Sequence, residues 1–435
     1  MTAPARLSRL SRLSRRLSYG AGSVGTGIFT TVPGVLLLYF LTVEVHLSAA
    51  VAGMIILIPK AAGLIGDPLI GIWADRLHRS SHGGRRRLMA LGALVGCVGL
   101  WMLFSLPQQH AGNVAVPVLI YLVCTTGYSL FAVPYSALPA ELDARPAERR
   151  ALVSTRLGLA FLGVLIGGVS APVIATRAGY DGMGLAMAIA CAIAMAAFLT
   201  TCRLPAGGMA RSRPAPAART VRQARWRLPR RFVVQMAAFI LLLAAAGAFS
   251  ALLPFLVREL GADGEVVGLA MLVDILAALG SSAVWPSLIR RLGLRRVWWL
   301  AAAIGCVGGV MVGTASAIDA PFYVGMALGG ASMAGVQIAG FTGLADLTAD
   351  YLEQGEGGGL ITGIWMAGEK TGLASGPLLA GVGLDLLSPI LPGAAAGVSM
   401  ALIPGLLALL SIMVIAIPGT GHDHRAGATT PEAQP

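Results

Sequence analysis

The sequence predicts an all-α polytopic membrane protein with twelve transmembrane helices in two pseudo-symmetric six-helix bundles. Three observations carry that prediction. First, apolar runs repeatedly reach or exceed the roughly 20 residues a helix needs to cross a bilayer, in a chain that is 56% hydrophobic and only 12% charged. Second, arginines crowd into alternate gaps between those runs, as cytoplasmic loops do. Third, a basic, proline-rich stretch at mid-chain separates two halves that repeat one arginine-bearing pattern.

Residues 1–16 form a basic N-terminal segment in which Leu7, Leu10 and Leu13, continued by Leu17 of the first span, recur at helical spacing among Arg6, Arg9, Arg12, Arg15 and Arg16. This pattern predicts an interfacial amphipathic helix leading into the first span. A cleaved signal peptide is the alternative, but the apolar run is too long and no small-residue cleavage pattern follows. Six spans then follow at 17–42, 47–73, 87–106, 114–138, 151–175 and 182–202, forming an N-terminal bundle over 17–202. Residues 203–231, with Pro205, Pro214, Pro216 and Pro229 among arginines, carry too little apolar surface to span anything and form a cytoplasmic linker. The second bundle, 232–418, holds spans at 232–256, 265–289, 297–317, 320–343, 358–386 and 390–418, and 419–435 form a disordered cytoplasmic tail.

Arginine placement orients the chain. Arg76, Arg79, Arg85, Arg86 and Arg87 follow span 2, Arg145, Arg149 and Arg150 follow span 4, and Arg290, Arg291, Arg295 and Arg296 follow span 8. The opposite gaps hold Arg177 and Arg258 as exceptions, so both termini are expected in the cytoplasm, which an even number of spans satisfies. These arginines meet anionic lipid headgroups, so the net charge of +12 calls for membrane lipids and not for nucleic acid. Cys97, Cys124, Cys191, Cys202 and Cys306 lie in or beside apolar spans and suggest packing rather than a disulfide framework.

The two halves align at their second helices. Gly66 to Arg76 reads GDPLIGIWADR with Gly84 to Arg87 behind it, and Gly280 to Arg290 reads GSSAVWPSLIR with Gly293 to Arg296 behind it. In that register Lys60 of one half stands opposite Asp274 of the other, each six residues before the glycine. Both are expected to face a central cavity, since membrane charges seldom face lipid; satisfaction by a local carbonyl or hydroxyl is the bland alternative. Lys60 and Lys370 are the only lysines of the chain, and both lie inside apolar spans. A charge there costs several kcal/mol unless it is paired or faces water, which makes the centre of the protein a candidate solute pathway. Lys60 and Asp67, seven residues apart, share a helix face with Gly63 and Gly71; the same small-residue stripe reads equally as a packing seam.

The other ionisable residues at membrane depth are Arg156, Glu369 and Lys370. Every histidine sits at an edge or in a loop, so any proton coupling falls to a carboxylate. Asp67 is the first candidate, because desolvation and a nearby lysine pull its proton affinity in opposite directions. The substrate and cation pathway is therefore assigned to Lys60, Asp67, Arg156, Asp274, Glu369 and Lys370. A cytoplasmic gate is assigned to Gly71, Asp75, Arg76, Arg85 and Arg86 against Asp346 and Asp350, with solvated faces as the bland alternative. The run GIWMAGEKT from Gly363 imitates a phosphate loop, but Glu369 separates glycine from lysine and no strand precedes it. No cofactor, metal site or catalytic constellation is called for, which sets a multi-span enzyme aside. A transporter-fold sensor or scaffold would keep the helices and lose the central charges.

GDPLIGIWADR with its trailing GRRR resembles the helix 2–3 signature of the glycoside–pentoside–hexuronide:cation symporters, the melibiose permease-like branch of the major facilitator superfamily. Leu17 to Gly20, Val133 to Leu138 with Glu148, Arg149 and Arg156, and Asp346, Asp350 and Gly363 to Pro377 resemble three further segments in order and position. The resemblance implies alternating access by two rocking bundles in a bacterial-type cytoplasmic membrane, with a small solute and a coupling cation, H+ or Na+, near the midplane. It places Lys60, Asp67, Arg156 and Lys370 in or beside that site. Yet Gly27, Gly63 and Ala132 stand where sugar-transporting relatives carry aspartates, and Ser136 where they carry an aromatic residue. Sodium coupling and a plain sugar are thereby disfavoured: a glycoside, hexuronide or related organic anion moved with a proton is expected, with a lysolipid-like amphiphile as the alternative solute.

Overall fold

A computed structural model describes residues 9–80, 83–106, 113–142, 146–202, 230–353 and 358–416. These fold into helices α1 Arg9–Tyr39, α2 Ala49–Ser80, α3 Gly84–Phe104, α4 Ala115–Leu142 and α5 Pro146–Thr201 of the first half. The second half holds α6 Arg230–Glu259, α7 Gly264–Ser282, α8 Trp285–Leu292, α9 Leu294–Gly313, α10 Ala320–Glu353, α11 Gly358–Leu387 and α12 Ala395–Ala416. No strand occurs among the described residues. Ten helical stretches are long and apolar enough to cross a membrane; one of them, Thr155–Thr201, contains two crossings, and the charge-bearing α11 is not among the ten. The described residues thus hold the twelve predicted crossings. Residues 1–8, most of the linker and the tail lie outside the described residues.

Local chemistry explains where helices break and where they do not. The basic segment from Arg9 is continuous with the first crossing instead of forming a separate interfacial helix, and α1 ends in a π-turn over Phe40–Glu44. α5 turns back on itself at Gly179, whose φ of 73° is open to glycine and strained for other residues. The eighth crossing, expected unbroken over 265–289, is interrupted between Ser282 and Trp285. Pro286 lies at the start of α8, where its missing N–H costs nothing, whereas inside a continuous helix its ring would strike the carbonyl of residue 282.

The halves meet unevenly. At the end opposite the termini, buried side chains of α6, α7 and α12, including Leu252, Leu256, Met271 and Met400, join Val32, Leu36, Ile55 and Ile56 of the first half in one hydrophobic core. At the terminus-bearing end the second half keeps a core of its own around Phe232, Phe239, Trp298 and Trp365. There Gly66, Gly158, Gly280 and Gly363 face open space. The protein is therefore closed at its far end and parted at the end that carries the termini.

Polar contacts hold the far-end seam. The Asp385 carboxylate of α11 accepts hydrogen bonds from the backbone N–H of Ala49 and of Ala50, each at 2.9 Å, and so caps the first turn of α2. Four residues before it, Gly381 lies so close to the Ala49 carbonyl that a Cβ would overlap it. On the pseudo-symmetric side Arg177 of α5 pairs with Glu265 of α7 at 2.6 Å.

Candidate functional site

The seam and the parted end leave a central cavity of about 750 Å³ between the halves. That volume lies within the range of about 300–1,000 Å³ usual for small-molecule sites. In the first half it is walled by α1, α2, α4 and the first arm of α5, through residues that include Thr30, Thr31, Lys60, Asp67, Tyr121, Thr125, Tyr128 and Val164. The opposing wall includes Phe249 and Ser250 of α6, Asp274 of α7 and Lys370 of α11. Apolar and aromatic groups dominate this surface, with a few charges and hydroxyls set into it.

Four charged side chains line the cavity: Lys60, Asp67, Asp274 and Lys370. Asp67 and Lys370 form an ion pair that joins α2 to α11, and with it one half to the other. The second carboxylate oxygen of Asp67, Oδ1, is buried without a hydrogen-bond partner, so it retains an acceptor site for a proton or a solute hydroxyl. Gly63 lies one turn earlier on the same face, where a Cβ would stand 3.8 Å from that oxygen, in ordinary van der Waals contact. Among the described residues, Lys60 and Asp274 take part in no ion pair or hydrogen bond. A cation from the first half and an anion from the second thus face the same space.

Two predicted pathway residues point elsewhere. Arg156 is not part of the cavity wall; its guanidinium lies over the ring of Tyr135, 5.2 Å from the centroid. That ring stacks with Tyr19 and Phe131 and meets Phe198 edge-on, in a cluster that fills the interior of the first half. Glu369 turns from the cavity toward α10, where Gln337 Nε2 donates to its Oε1 at 3.2 Å.

Of the predicted gate residues, Arg85 is buried and donates to the Pro134 carbonyl of α4. That bond lies within the first half. Arg76, Arg86 and Asp346 are exposed at the terminus-bearing end, and Gly71 packs near Val133 of α4. The side chains of Asp75 and Asp350 lie outside the described residues.

Gly27, one position where the resemblance leads to an expected aspartate, has a structural account. Gly27 sits where α1 crosses α5, and any Cβ there would overlap the Ala160 carbonyl and come within 2.8 Å of the Val164 nitrogen. Opposite it, Gly163 is pressed against Val24 in the same way. The two backbones leave no volume for a carboxylate. The sequence did not single out the hydroxyls of Thr30, Thr31, Thr125 and Ser250, the Asp385 cap, or the Gln337 partner of Glu369; each is a common residue without a local signature.

Comparison with known proteins agrees with this picture. The family described as MFS/sugar transport protein matches residues 18–418. YagG of Escherichia coli (strain K12), provisionally named a glycoside/cation symporter, is 33% identical over 161 residues, which are 37% of this chain and 35% of YagG. The chain thus spans about a third of the length of such curated relatives in alignment. Two solved structures share the fold at low identity. A point mutant of the nucleoside transporter NupG superposes with a TM-score of 0.69 at 12% identity, over 93% of this chain and 99% of that one. A D-xylose-proton symporter does so with a TM-score of 0.67 at 17% identity, over 93% and 97%.

Proposed function

We propose, from the premise that this chain belongs to the MFS/sugar transport protein family, that it is a secondary active transporter. It carries a small sugar-like solute, a glycoside, hexuronide or related organic anion, by alternating access, coupled to a cation. The observation that carries this reading is the Asp67–Lys370 pair, which ties the two halves together inside the cavity where a solute would sit. A proton arriving on Asp67 removes its charge and releases Lys370, and the free oxygen Oδ1 lies ready to receive that proton. Coupling of ion binding to the rocking of the halves then follows from a single charge change.

A proton fits better than sodium as the coupling ion. Gly27 lies in backbone-to-backbone contact with α5, so the first half cannot assemble the carboxylate cluster that a dehydrated sodium ion needs. Lys60 supplies a cation for an anionic group of the solute, and Asp274 an acceptor for its hydroxyls. Arginines concentrated at the terminus-bearing end support a cytoplasmic position for both termini, and on that reading the present form is open inward. Arg76 and Arg86 of one half and the acidic stretch of α10 in the other then carry opposite charge at that mouth, whereas Arg85 serves as an internal brace.

The test is uptake into proteoliposomes of a labelled panel of sugars, uronates and organic acids under separately imposed proton and sodium gradients. Accumulation driven by a proton gradient, lost in Asp67→Asn while counterflow exchange persists, is the expected result. Undiminished uphill transport by that variant would sink the role of Asp67. Sodium-driven accumulation of a neutral glycoside would overturn the solute and the ion together.

A further inference from the structure

The cavity does not end at the interface between the halves. In the second half it continues inward behind α6, between α9, α10 and α12, where Ala245, Ala302, Gly305, Met333, Pro404 and Ala408 line it. In the first half no residue of α3 or of the second arm of α5 reaches the cavity wall, although these are the pseudo-symmetric counterparts of α9 and α12. The difference lies in side-chain size. Phe131, Tyr135 and Phe198 fill the core of the first half with ring centroids 4.8–5.8 Å apart. The chamber in the second half is bounded largely by alanine, glycine and proline, and its one hydroxyl, Ser332, is already spent on the Ala301 carbonyl at 2.8 Å.

We infer that this side chamber receives an apolar substituent of the solute, so that the transported species is an amphiphile. Its anionic head lies near Lys60, and its aliphatic or aryl part enters the second half past Asp274. The inference rests on the reading of the central cavity as a solute site and adds a substrate class to it. A chamber without free hydrogen-bond partners gains nothing from a sugar hydroxyl, because burying an unpaired hydroxyl is costly, whereas methylene groups gain by leaving water. Because the chamber lies within one bundle, its occupant travels with that bundle as the halves rock. The chamber therefore adds affinity without obstructing the motion.

The experiment measures equilibrium binding of n-alkyl glucuronides, from methyl to octyl, to the full chain in lipid nanodiscs. Wild type is compared with Ala302→Leu/Ala408→Leu, and with the milder Ala408→Val in case the double variant folds poorly. In wild type the Kd is expected to fall about threefold to fourfold per added methylene until the chamber is full. In the filled variants that gain stops at a shorter chain, while methyl glucuronide binds as before. An identical chain-length dependence in all proteins would mean that the bilayer takes the chains, and would overturn the chamber. So would a loss of affinity in the variants that is equal for methyl and octyl, which marks a structural effect. Binding of octyl but not methyl, sensitive to the variants, would retain the chamber and discard the anionic-sugar head. Binding of methyl without any chain-length effect would do the reverse, and no binding of either would discard both.

Discussion

Replacing Asp385 with alanine isolates the far-end seam. In the closed form its carboxylate accepts two backbone N–H groups of α2 at 2.9 Å, from a different half of the protein. Opening the far end parts α11 from α2 and leaves those N–H groups to water, so the contact exists in one state alone. Losing an N-terminal cap costs about 0.5–2 kcal/mol, typically about 1, and losing a negative charge at a helix N-terminus about 0.3–1 kcal/mol. Ser48, whose Oγ accepts from Val51 at 3.4 Å, stays on the same helix in either state and cancels. A net shift of about 2 kcal/mol toward far-end opening corresponds to about a thirtyfold change in the equilibrium. The assay is labelling of Leu378→Cys, a half-buried position whose backbone lies against Gly53 of α2, by a membrane-impermeant maleimide applied to the face opposite the termini, in a background freed of the native cysteines. The rate is expected to rise about thirtyfold in Asp385→Ala. Arg177→Gln should raise it severalfold at most, because the Arg177–Glu265 pair is largely exposed and such pairs are worth about 0–1 kcal/mol. A change of less than about threefold in Asp385→Ala, or a larger effect from Arg177→Gln, would refute the reasoning.

Arg85→Ala strips a buried cation from its carbonyl partner and should lower the thermal midpoint of the detergent-solubilised protein by several degrees, in keeping with a loss of about 2–3 kcal/mol, whereas the exposed Arg86→Ala leaves it unchanged. Equal effects of the two would remove the distinction drawn between brace and gate. Gly27→Asp, which restores the residue found in sugar-transporting relatives, should reduce folded yield sharply and confer no sodium dependence, since its Cβ overlaps the Ala160 carbonyl; a well-folded, sodium-coupled variant would show that the α1–α5 crossing yields. Gln337→Leu should leave folding intact and change transport less than Asp67→Asn does, because Glu369, its partner, lies off the cavity, and a transport defect as deep as that of Asp67→Asn would bring Glu369 back into the pathway.

The fold was legible because a bilayer imposes it residue by residue. Every crossing must be apolar over about 20 residues, so the runs in the sequence mark the helices wherever the neighbours lie. Pro286 shows the limit of that reading: a hydropathy run passes over it, while the helix is interrupted just before it, although Pro59, Pro254 and Pro404 lie inside unbroken helices. The lysines and aspartates that line the cavity were legible for the same reason, since lipid tolerates a charge only where function or pairing holds it. Lys60, Asp67, Asp274 and Lys370 all reach the cavity.

Partnership could not be read in this way. That Asp67 meets Lys370, 303 positions away, depends on how α2 crosses α11. Arg85 and Arg86 are neighbours in one basic cluster, yet their positions on α3 send one into the bundle and leave the other outside. The apolar chamber has no sequence signature, because alanine and glycine within a membrane helix serve tight packing as readily as empty space. Gly313 and Gly27 are used to bring backbones together, while Ala302 and Ala408, core residues of the second half, also line the cavity. What separates these uses is the distance between helix axes, and that distance is set by all the side chains of a bundle at once. The sequence by itself determined which segments cross the membrane and which charges they carry inward; tertiary packing decided which charges meet, which end is closed and where space remains.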